Sequence, residues 1–476
     1  MAAVLLTLLK IVWVSAMIVT PLLGMWLSSS LAAYRNSSLL VSVLVGLLLF
    51  PIIPLAWEAV SSWRRSRKES PRAAILTRLD RLVLRTVCLN LLFIVVTVWS
   101  APATSFRALA TRGDWMLEGR TGGVSDSIRG HLFTVADILE GLYGRAETNH
   151  YGVTDTTPPD EPPAPTDLKT KTPIPSDRPD ATPTIAVGAT TYPANAKLHP
   201  IIASIPESSL SSHEAVARYI DSNVSDPFDK VKALHDFVTQ RLTYDQATFE
   251  AYEAGLDVYP SQEAADVFVA RTAVCAGYSK LLAAMAAEVG IEIAYVVGRG
   301  GRDGWEVDGV AHAWNAAKID GAWYLIDATW NDGQDDYSTD YLFTPPELFR
   351  LDHLPEDDRW QLHPKAISVS EFMRQPMISA GFILLGLEMR EPDRAQVTVG
   401  KNVLIELGNP RRVHILAKVQ QKGAPGRDCA IKADDGRSII DCAFPKSGRY
   451  TVDVYGKSGS RSGSYPHIAK LFVNSK

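Results

Sequence analysis

Three long apolar runs crowd into the first 101 residues of this 476-residue chain. A helix crossing the ~30 Å hydrocarbon core of a bilayer needs ~20 mostly apolar residues. The runs from Val4 to Leu27, from Leu39 to Trp57 and from Val83 to Ala101 all approach that length. Three transmembrane helices are therefore expected in segment 1–101. A cleaved signal peptide fits poorly, because no basic stretch precedes the first run and two more runs follow it. The loop between the second and third runs carries Arg64, Arg65, Arg67, Lys68, Arg72, Arg78 and Arg81, whereas the loop between the first and second carries only Arg35. The positive-inside bias then places the N-terminus in the cytoplasm and everything after about residue 102 outside.

Segment 102–150 follows as a juxtamembrane region. In it Ile128, Leu132, Val135, Ile138, Leu139 and Leu142 recur at helical spacing. Such an amphipathic helix can lie on the membrane surface or pack on its own domain. Segment 151–195 holds ten of the 29 prolines, with many threonines and few large apolar side chains. A stretch of this kind cannot bury enough surface to offset its ordering entropy. It reads as a disordered, semi-rigid tether rich in polyproline II. The net charge of −5 offers no basic footprint for nucleic acid. Four cysteines exclude a disulfide-dense scaffold, and no repeat of 20–50 residues indicates a solenoid.

From about residue 196 the pattern is that of a compact α+β domain, extending to about 390. Ser212–Ser222, Pro227–Leu242 and Gln262–Ala270 read as helices, with Asp226 as an N-cap before Pro227. The alanine- and leucine-rich segment after Cys275 should be helical as far as Gly290. Cys275 then sits at a helix N-terminus, where free N–H groups and the helix dipole favour a thiolate. Taken alone, such a cysteine is more often a small core residue. The segment His312–Ile319 alternates like a strand, Asp320-Gly321 is a two-residue hairpin turn, and Ala322–Trp330 is the return strand. With Ile319 opposite Ala322, His312 falls opposite Thr329 and diagonal to Asp327, on one face. A turn one residue longer would put the two on opposite faces. A thiol nucleophile needs a base and an acid that orients the base. Cys275, His312 and Asp327 supply these types. The Cys275 backbone N–H and the Gln262 side chain are candidate oxyanion donors, and Tyr278, Trp314 and Trp330 are candidate walls of a substrate channel.

Val274-Cys275-Ala-Gly277-Tyr278, Ala311-His312-Ala313-Trp314-Asn315 and Trp323-Tyr-Leu-Ile-Asp327-Ala-Thr-Trp330 together resemble the transglutaminase-like superfamily. Tyr341-Leu-Phe-Thr-Pro-Pro346 and His353-Leu-Pro-Glu-Asp-Asp-Arg-Trp360-Gln361-Leu are similar to its kyphoscoliosis-peptidase-like branch. The resemblance covers about residues 195–365, and Gly448–Val473 is similar to that branch's C-terminal β region. It implies a papain-like core with nucleophile, base and orienting roles on Cys275, His312 and Asp327. The family includes transamidases, peptidases, amide hydrolases and silent scaffolds, so the chemistry class is better fixed than the reaction.

No cofactor is expected. The acidic loop Asn331–Asp340 raises calcium, which some animal transglutaminases use, but its spacing is not that of an EF-hand loop. No H-x-x-x-H or C-x-x-C spacing supports zinc, so no metal site is expected. The glycine-rich Gly298–Gly304 precedes no helix, so it reads as a mobile loop beside the site and not as a phosphate cradle. Short alternating strands at Val397–Val399, Val403–Leu407, Val413–Val419, Ser438–Ala443, Tyr450–Tyr455 and His467–Val473 point to an immunoglobulin-like all-β sandwich over 391–476. Cys429 and Cys442, 13 residues apart, form either a disulfide or a pair of buried thiols, and an extracytoplasmic location favours the disulfide. Cys88 lies in an expected span and reads as inert.

The whole reads as a multi-pass, membrane-anchored, extracytoplasmic thiol enzyme acting on protein or peptide amides. Hydrolysis is favoured over glutamine transamidation, because water is always present and no amine site is legible. The expected partners are a peptide or protein substrate, the bilayer, and a cell-envelope partner on the C-terminal sandwich. A non-catalytic envelope-binding scaffold is the rival, and a structural protein using only residues 391–476 is a third reading.

Overall fold

The computed structural model describes residues 2–35, 46–67, 77–117, 122–139, 185–187, 190–256, 260–301, 309–332, 337–434 and 436–476, together with Leu40, Leu44 and Val307. The chain divides into two compact units, one comprising Met1–Thr148 with Val369–Arg374 and the other Asn149–Ser368 with Gln375–Lys476. Each is described by itself.

The first unit is helical: α1 (Ala2–Tyr34), α2 (Ile53–Ser66), α3 (Arg78–Ser100), α4 (Pro102–Arg112) and α5 (Gly123–Ile138). A capping box opens α3: the Thr77 hydroxyl accepts from the Asp80 N–H at 3.1 Å and the Asp80 carboxylate accepts from the Thr77 N–H at 3.0 Å. Among the described residues, α3 is the helix long and apolar enough to cross a membrane. It contains the third expected run except for Ala101, its C-cap. The first run lies within α1, whose Ile18–Tyr34 stretch is apolar but shorter. Of the second run, residues 39, 41–43 and 45 lie outside the described residues; Leu48–Ile52 forms a π-helical turn and the last part opens α2.

The two placements open to the amphipathic segment resolve to packing. Leu132, Val135, Ala136 and Leu139 join Trp26, Leu27 and Leu109 in one apolar cluster, while Ile128 and Ile138 stay exposed. Leu142 lies outside the described residues.

The proline-rich tether is outside the described residues as far as 184. Its end departs from the disordered expectation. Strands β1 (Ile185–Val187) and β2 (Thr190–Tyr192) pair antiparallel. Tyr192 is buried among Leu348 and Leu351, and its hydroxyl donates to the Asp340 carbonyl at 2.8 Å. A large aromatic ring with a satisfied polar tip anchors this end of the tract.

The core of the second unit begins with α6 (His213–Asn223) and α7 (Pro227–Arg241), capped by Ser212 and Asp226. Strand β3 (Thr243–Tyr244), α8 (Gln246–Glu253), α9 (Ala264–Ala270), β4 (Thr272–Ala273) and α10 (Cys275–Glu288) follow. A sheet is then built from β5 (Ile293–Gly300), β6 (Val310–Ile319), β7 (Ala322–Ile326), β8 (Leu342–Thr344) and β9 (His353–Pro355), in the order β8-β7-β6-β5-β9. Leu281, Leu282 and Met285 of α10 bury against Val231, Leu234 and Val238 of α7 and against Ala217 and Ile220 of α6. Side-chain hydrogen bonds fix α10 on β6: Ser279 Oγ donates to the Ala313 carbonyl at 3.1 Å, and Asn315 Nδ2 donates to the Ser279 carbonyl at 3.1 Å.

Beyond the core, two sheets face each other over an apolar interior. One contains β10 (Met377–Ile378), β12 (Gln396–Val399), β14 (His414–Gln420), β15 (Arg427–Asp428), β18 (Gly448–Lys457) and β19 (His467–Ser475). The other is β11 (Glu388–Glu391), β13 (Asn402–Gly408), β17 (Arg437–Ala443) and β16 (Ala430–Asp434), in that order. This is the expected sandwich, with β10, β11, β15 and β16 added to it. Cys429 and Cys442 form a disulfide. They lie opposite each other in the continuation of the β16–β17 register.

Candidate active site

The hairpin of β6 and β7 has the expected register. Ile319 pairs with Ala322 and Asn315 with Ile326. Asp320 and Gly321 both take positive φ, at 52° and 80°, as a two-residue turn that matches strand twist requires. The ladder ends at Asn315–Ile326, and the Asp327 N–H turns to the Tyr341 carbonyl at 2.8 Å. The predicted meeting of His312 and Asp327 nevertheless occurs: His312 Nε2 lies 2.7 Å from Asp327 Oδ2, with both side chains buried.

Cys275 opens α10, as the sequence implies, after an extended Val274. Its thiol lies close enough to the His312 imidazole to raise that group's pKa. His312 therefore interacts with both Cys275 and Asp327. Cys275 itself is only 1% exposed, beneath an apolar cover that includes Tyr252, with Tyr244, Phe249 and Tyr295 packed around it.

The Asp327 carboxylate is fully engaged. Its Oδ1 accepts from the Thr329 and Trp330 N–H groups at 2.9 and 3.3 Å. Its Oδ2 accepts from His312 and also from His353 Nε2, at 3.1 Å. Burial by itself favours the protonated acid, but the two histidines outweigh it and hold Asp327 well below the usual carboxylate range. Burial likewise disfavours a charged imidazole at His312, yet the Asp327 charge and Cys275 overcome it and push the pKa up to about 10. The Asp327 carboxylate thus favours a proton on His312, the form the imidazole takes when it accepts the thiol proton.

Gln262 lies beside this helix start. Its Oε1 accepts from the Val274 N–H at 3.0 Å and its Nε2 donates to the Pro260 carbonyl at 3.1 Å. The amide nitrogen carries a second hydrogen, so the residue retains donor capacity near Cys275. The three candidate channel residues separate. Trp330 is half-buried, and its ring stacks on His312 with centroids 5.0 Å apart. Tyr278 and Trp314 are corrected to core residues, since neither has any exposed surface. The Tyr278 hydroxyl is spent on Asp332.

The reading of Gly298–Gly304 as a loop is also corrected in part. Gly298 and Gly300 lie in β5, and residues 302–304 are outside the described residues. A Cβ on Gly300 would stand 2.6 Å from His312 Cδ2. The glycine is there because the imidazole lies flat on the strand.

In the acidic loop, burial raises the pKa of both Asp332 and Asp340, while Asp335 and Asp336 lie outside the described residues. Among the described residues, the one cluster close enough to hold an ion is His312, Asp327 and His353, whose ligand atoms lie within 4.8 Å of one another. Those atoms are already hydrogen-bonded together.

His353 is the site residue that sequence reasoning missed. It stood in a stretch recognised for family likeness, 26 residues beyond Asp327, with no spacing rule to connect the two.

Residues 214–328 match the transglutaminase-like superfamily core. The chain carries a transglutaminase-like domain. Residues 369–476 match the KY-like immunoglobulin-like domain, which is the sandwich described above. Kyphoscoliosis peptidase of Homo sapiens is 27% identical over 183 residues, covering 36% of this chain and 27% of that protein. Its Mus musculus counterpart is 26% identical over 199 residues, covering 39% of this chain and 29% of that protein. The match thus spans less than a third of either relative. A crystal structure described as that of a TGase is 22% identical with a TM-score of 0.22, covering 26% of this chain and 33% of that one. Both triad ends, Cys275 and Asp327, fall inside the transglutaminase-like match, whereas His353 lies outside it.

Proposed function

We propose that this protein is a membrane-anchored thiol enzyme that acts on protein or peptide amide bonds. The observation that carries the reading is the buried His312–Asp327 hydrogen bond with Cys275, at the start of α10, acting on the same imidazole. His312 takes the thiol proton, and the sulfur attacks the amide carbonyl carbon. The Cys275 N–H at the start of α10, with Gln262, stabilises the oxyanion. The tetrahedral intermediate collapses, His312 returns the proton to the departing amine, and a thioester remains. A water molecule, deprotonated by His312, then attacks the thioester, releasing the acid and restoring the thiol. Asp327 holds the imidazole and stays ionised throughout.

The reading takes water as the acceptor, giving peptidase or amidase activity, and requires no cofactor. The apolar helix Arg78–Ser100 supports anchoring in a membrane. The lysine and arginine bias of the sequence supports a multi-pass topology with a cytoplasmic N-terminus and an extracytoplasmic enzyme.

The test uses the full chain in detergent micelles, wild type beside Cys275→Ala. Both are incubated with a peptide library and, separately, with a glutamine peptide plus a labelled primary amine. Cysteine-dependent release of fragments or ammonia supports hydrolysis. Amine incorporation without release replaces it with transamidation. Neither reaction, with an unreactive Cys275, returns the protein to the scaffold reading.

A further inference from the structure

His353 is buried, titratable and unused by the mechanism above. Its Nε2 contacts Asp327 Oδ2 at 3.1 Å, and its Nδ1 contacts Asp352 Oδ1 at 2.8 Å. Both ring nitrogens are therefore committed to carboxylates, whereas His312 gives one nitrogen to Asp327 and leaves the other for the thiol. This difference separates the roles of the two histidines: His312 can take a proton from Cys275, and His353 can only hold.

The packing says the same. The Phe349 ring stacks on His353 with centroids 3.9 Å apart, and the Trp330 ring lies 4.3 Å from that of His353 and 5.0 Å from that of His312. Asp352 is itself fixed, its Oδ2 accepting from the Tyr341 hydroxyl at 2.6 Å. An ionised carboxylate offers about four acceptor positions. Those of Asp327 are filled by two backbone N–H groups and two imidazoles. Removing His353 leaves a buried acceptor empty and lets the carboxylate turn away from His312.

We propose that His353 is a positioning residue of the thiol site, holding Asp327 Oδ2 beside His312 and linking it to Asp352. The inference rests on the thiol-enzyme reading. The titratable and charged groups around His353 are His312 from β6, Asp327 and Tyr341 from the segment between β7 and β8, Asp352 from its own approach, and Arg299 of β5, whose strand partner is Leu354.

The experiment measures iodoacetamide labelling of Cys275 in the full chain in detergent micelles, from pH 5 to 10, read by mass spectrometry of the Cys275 peptide. The free thiol of Cys88 serves as the internal reference. His353→Phe keeps a ring but removes both donors. His353→Gln restores one donor near the Nε2 position. At pH 6 the Phe variant should label about 10- to 100-fold more slowly, the worth of one charge-assisted hydrogen bond. Its rate should rejoin wild type at alkaline pH, and the Gln variant should recover most of the loss. A wild-type profile in the Phe variant overturns the proposal, as does an equal loss in both variants, which would mark a packing role. Should His353→Phe fail to keep its native near-ultraviolet circular dichroism, Asp352→Asn decides. A slower acidic rate upholds the link, and an unchanged one overturns it. His312→Ala separates the two readings. If it slows labelling while the His353 variants do not, only the positioning role falls. If it too leaves labelling unchanged, the thiol-enzyme reading falls with it.

Discussion

A single buried carboxylate organises the site, so the sharpest consequences lie at the scale of one atom. Asp327→Asn keeps the shape and the two backbone hydrogen bonds on Oδ1. With its nitrogen at the Oδ2 position, the amide presents hydrogens where two imidazole N–H groups now arrive. His312 must then move its hydrogen to Nδ1, facing the thiol, and can no longer take the thiol proton. Turnover should fall on the order of 10⁴-fold, as for the loss of an orienting acid in a comparable triad. Near-native circular dichroism would show that the loss is chemical. Gly300→Ala tests the floor of the site. The new methyl would meet His312 Cδ2 at 2.6 Å and Cγ at 2.8 Å, so the ring must shift. Overpacking of this kind costs about 1–3 kcal/mol. Labelling of Cys275 should slow, with a lowered thermal midpoint, whereas Gly400→Ala has open space around its Cβ and should leave labelling unchanged. At this scale the sequence showed which residue types could do thiol chemistry. It did not show that Asp327 serves two histidines, because the second approaches from β9, which pairs with β5 rather than with the hairpin.

Among the elements, the hairpin was the most legible, since its turn type and strand alternation fix the register together. The same logic makes it vulnerable. Gly321 sits at φ 80°, and a β-branched residue is strained there. Gly321→Val should destabilise the core by about 1–2 kcal/mol, measured as a lowered urea midpoint. It should also slow labelling of Cys275, because the turn sets His312 against Asp327. A variant that loses stability yet labels at the wild-type rate would show that the register is held elsewhere, by the Asn315 and Ser279 bonds between β6 and α10. Other elements were hidden for physical reasons. Strand β16 is exposed along its whole length at the edge of a sheet, so its sequence, Ala-Ile-Lys-Ala-Asp, carries no burial rhythm. Strand β11, Glu-Met-Arg-Glu, is equally polar. Both are edge strands of one sheet, β16 on β17 and β11 on β13, so one side of each has no strand partner to impose a pattern. Tyr192 was hidden differently. A lone aromatic at the end of a proline-rich tract gives no sign of the pocket formed by Leu348 and Leu351, some 150 residues later.

For the molecule as a whole, the buried charges tie folding to pH. His312 titrates near 10 when folded, against 6.5 for a free histidine. A group raised in this way adds stability that is complete below the unfolded value and is lost as pH rises toward 10. Asp327 is shifted the other way, so its contribution is complete above the free value of 3.8 and is lost as pH falls below it. Together they give greatest stability from about pH 4 to 6.5, falling off on the alkaline side as the imidazolium is lost. Thermal unfolding of the full chain in micelles, followed by near-ultraviolet circular dichroism, should therefore show a midpoint that declines between pH 6.5 and 10. At ~2–4 °C per kcal/mol for domains of 150–250 residues, the decline should be readily measurable. His312→Gln removes the titrating group and should flatten that limb while leaving the acid limb, which belongs to Asp327 and the other carboxylates. An alkaline limb of equal slope in the variant would mean that the imidazolium–carboxylate pair does not govern folding. The charge on His312 would then matter only to the thiol it faces.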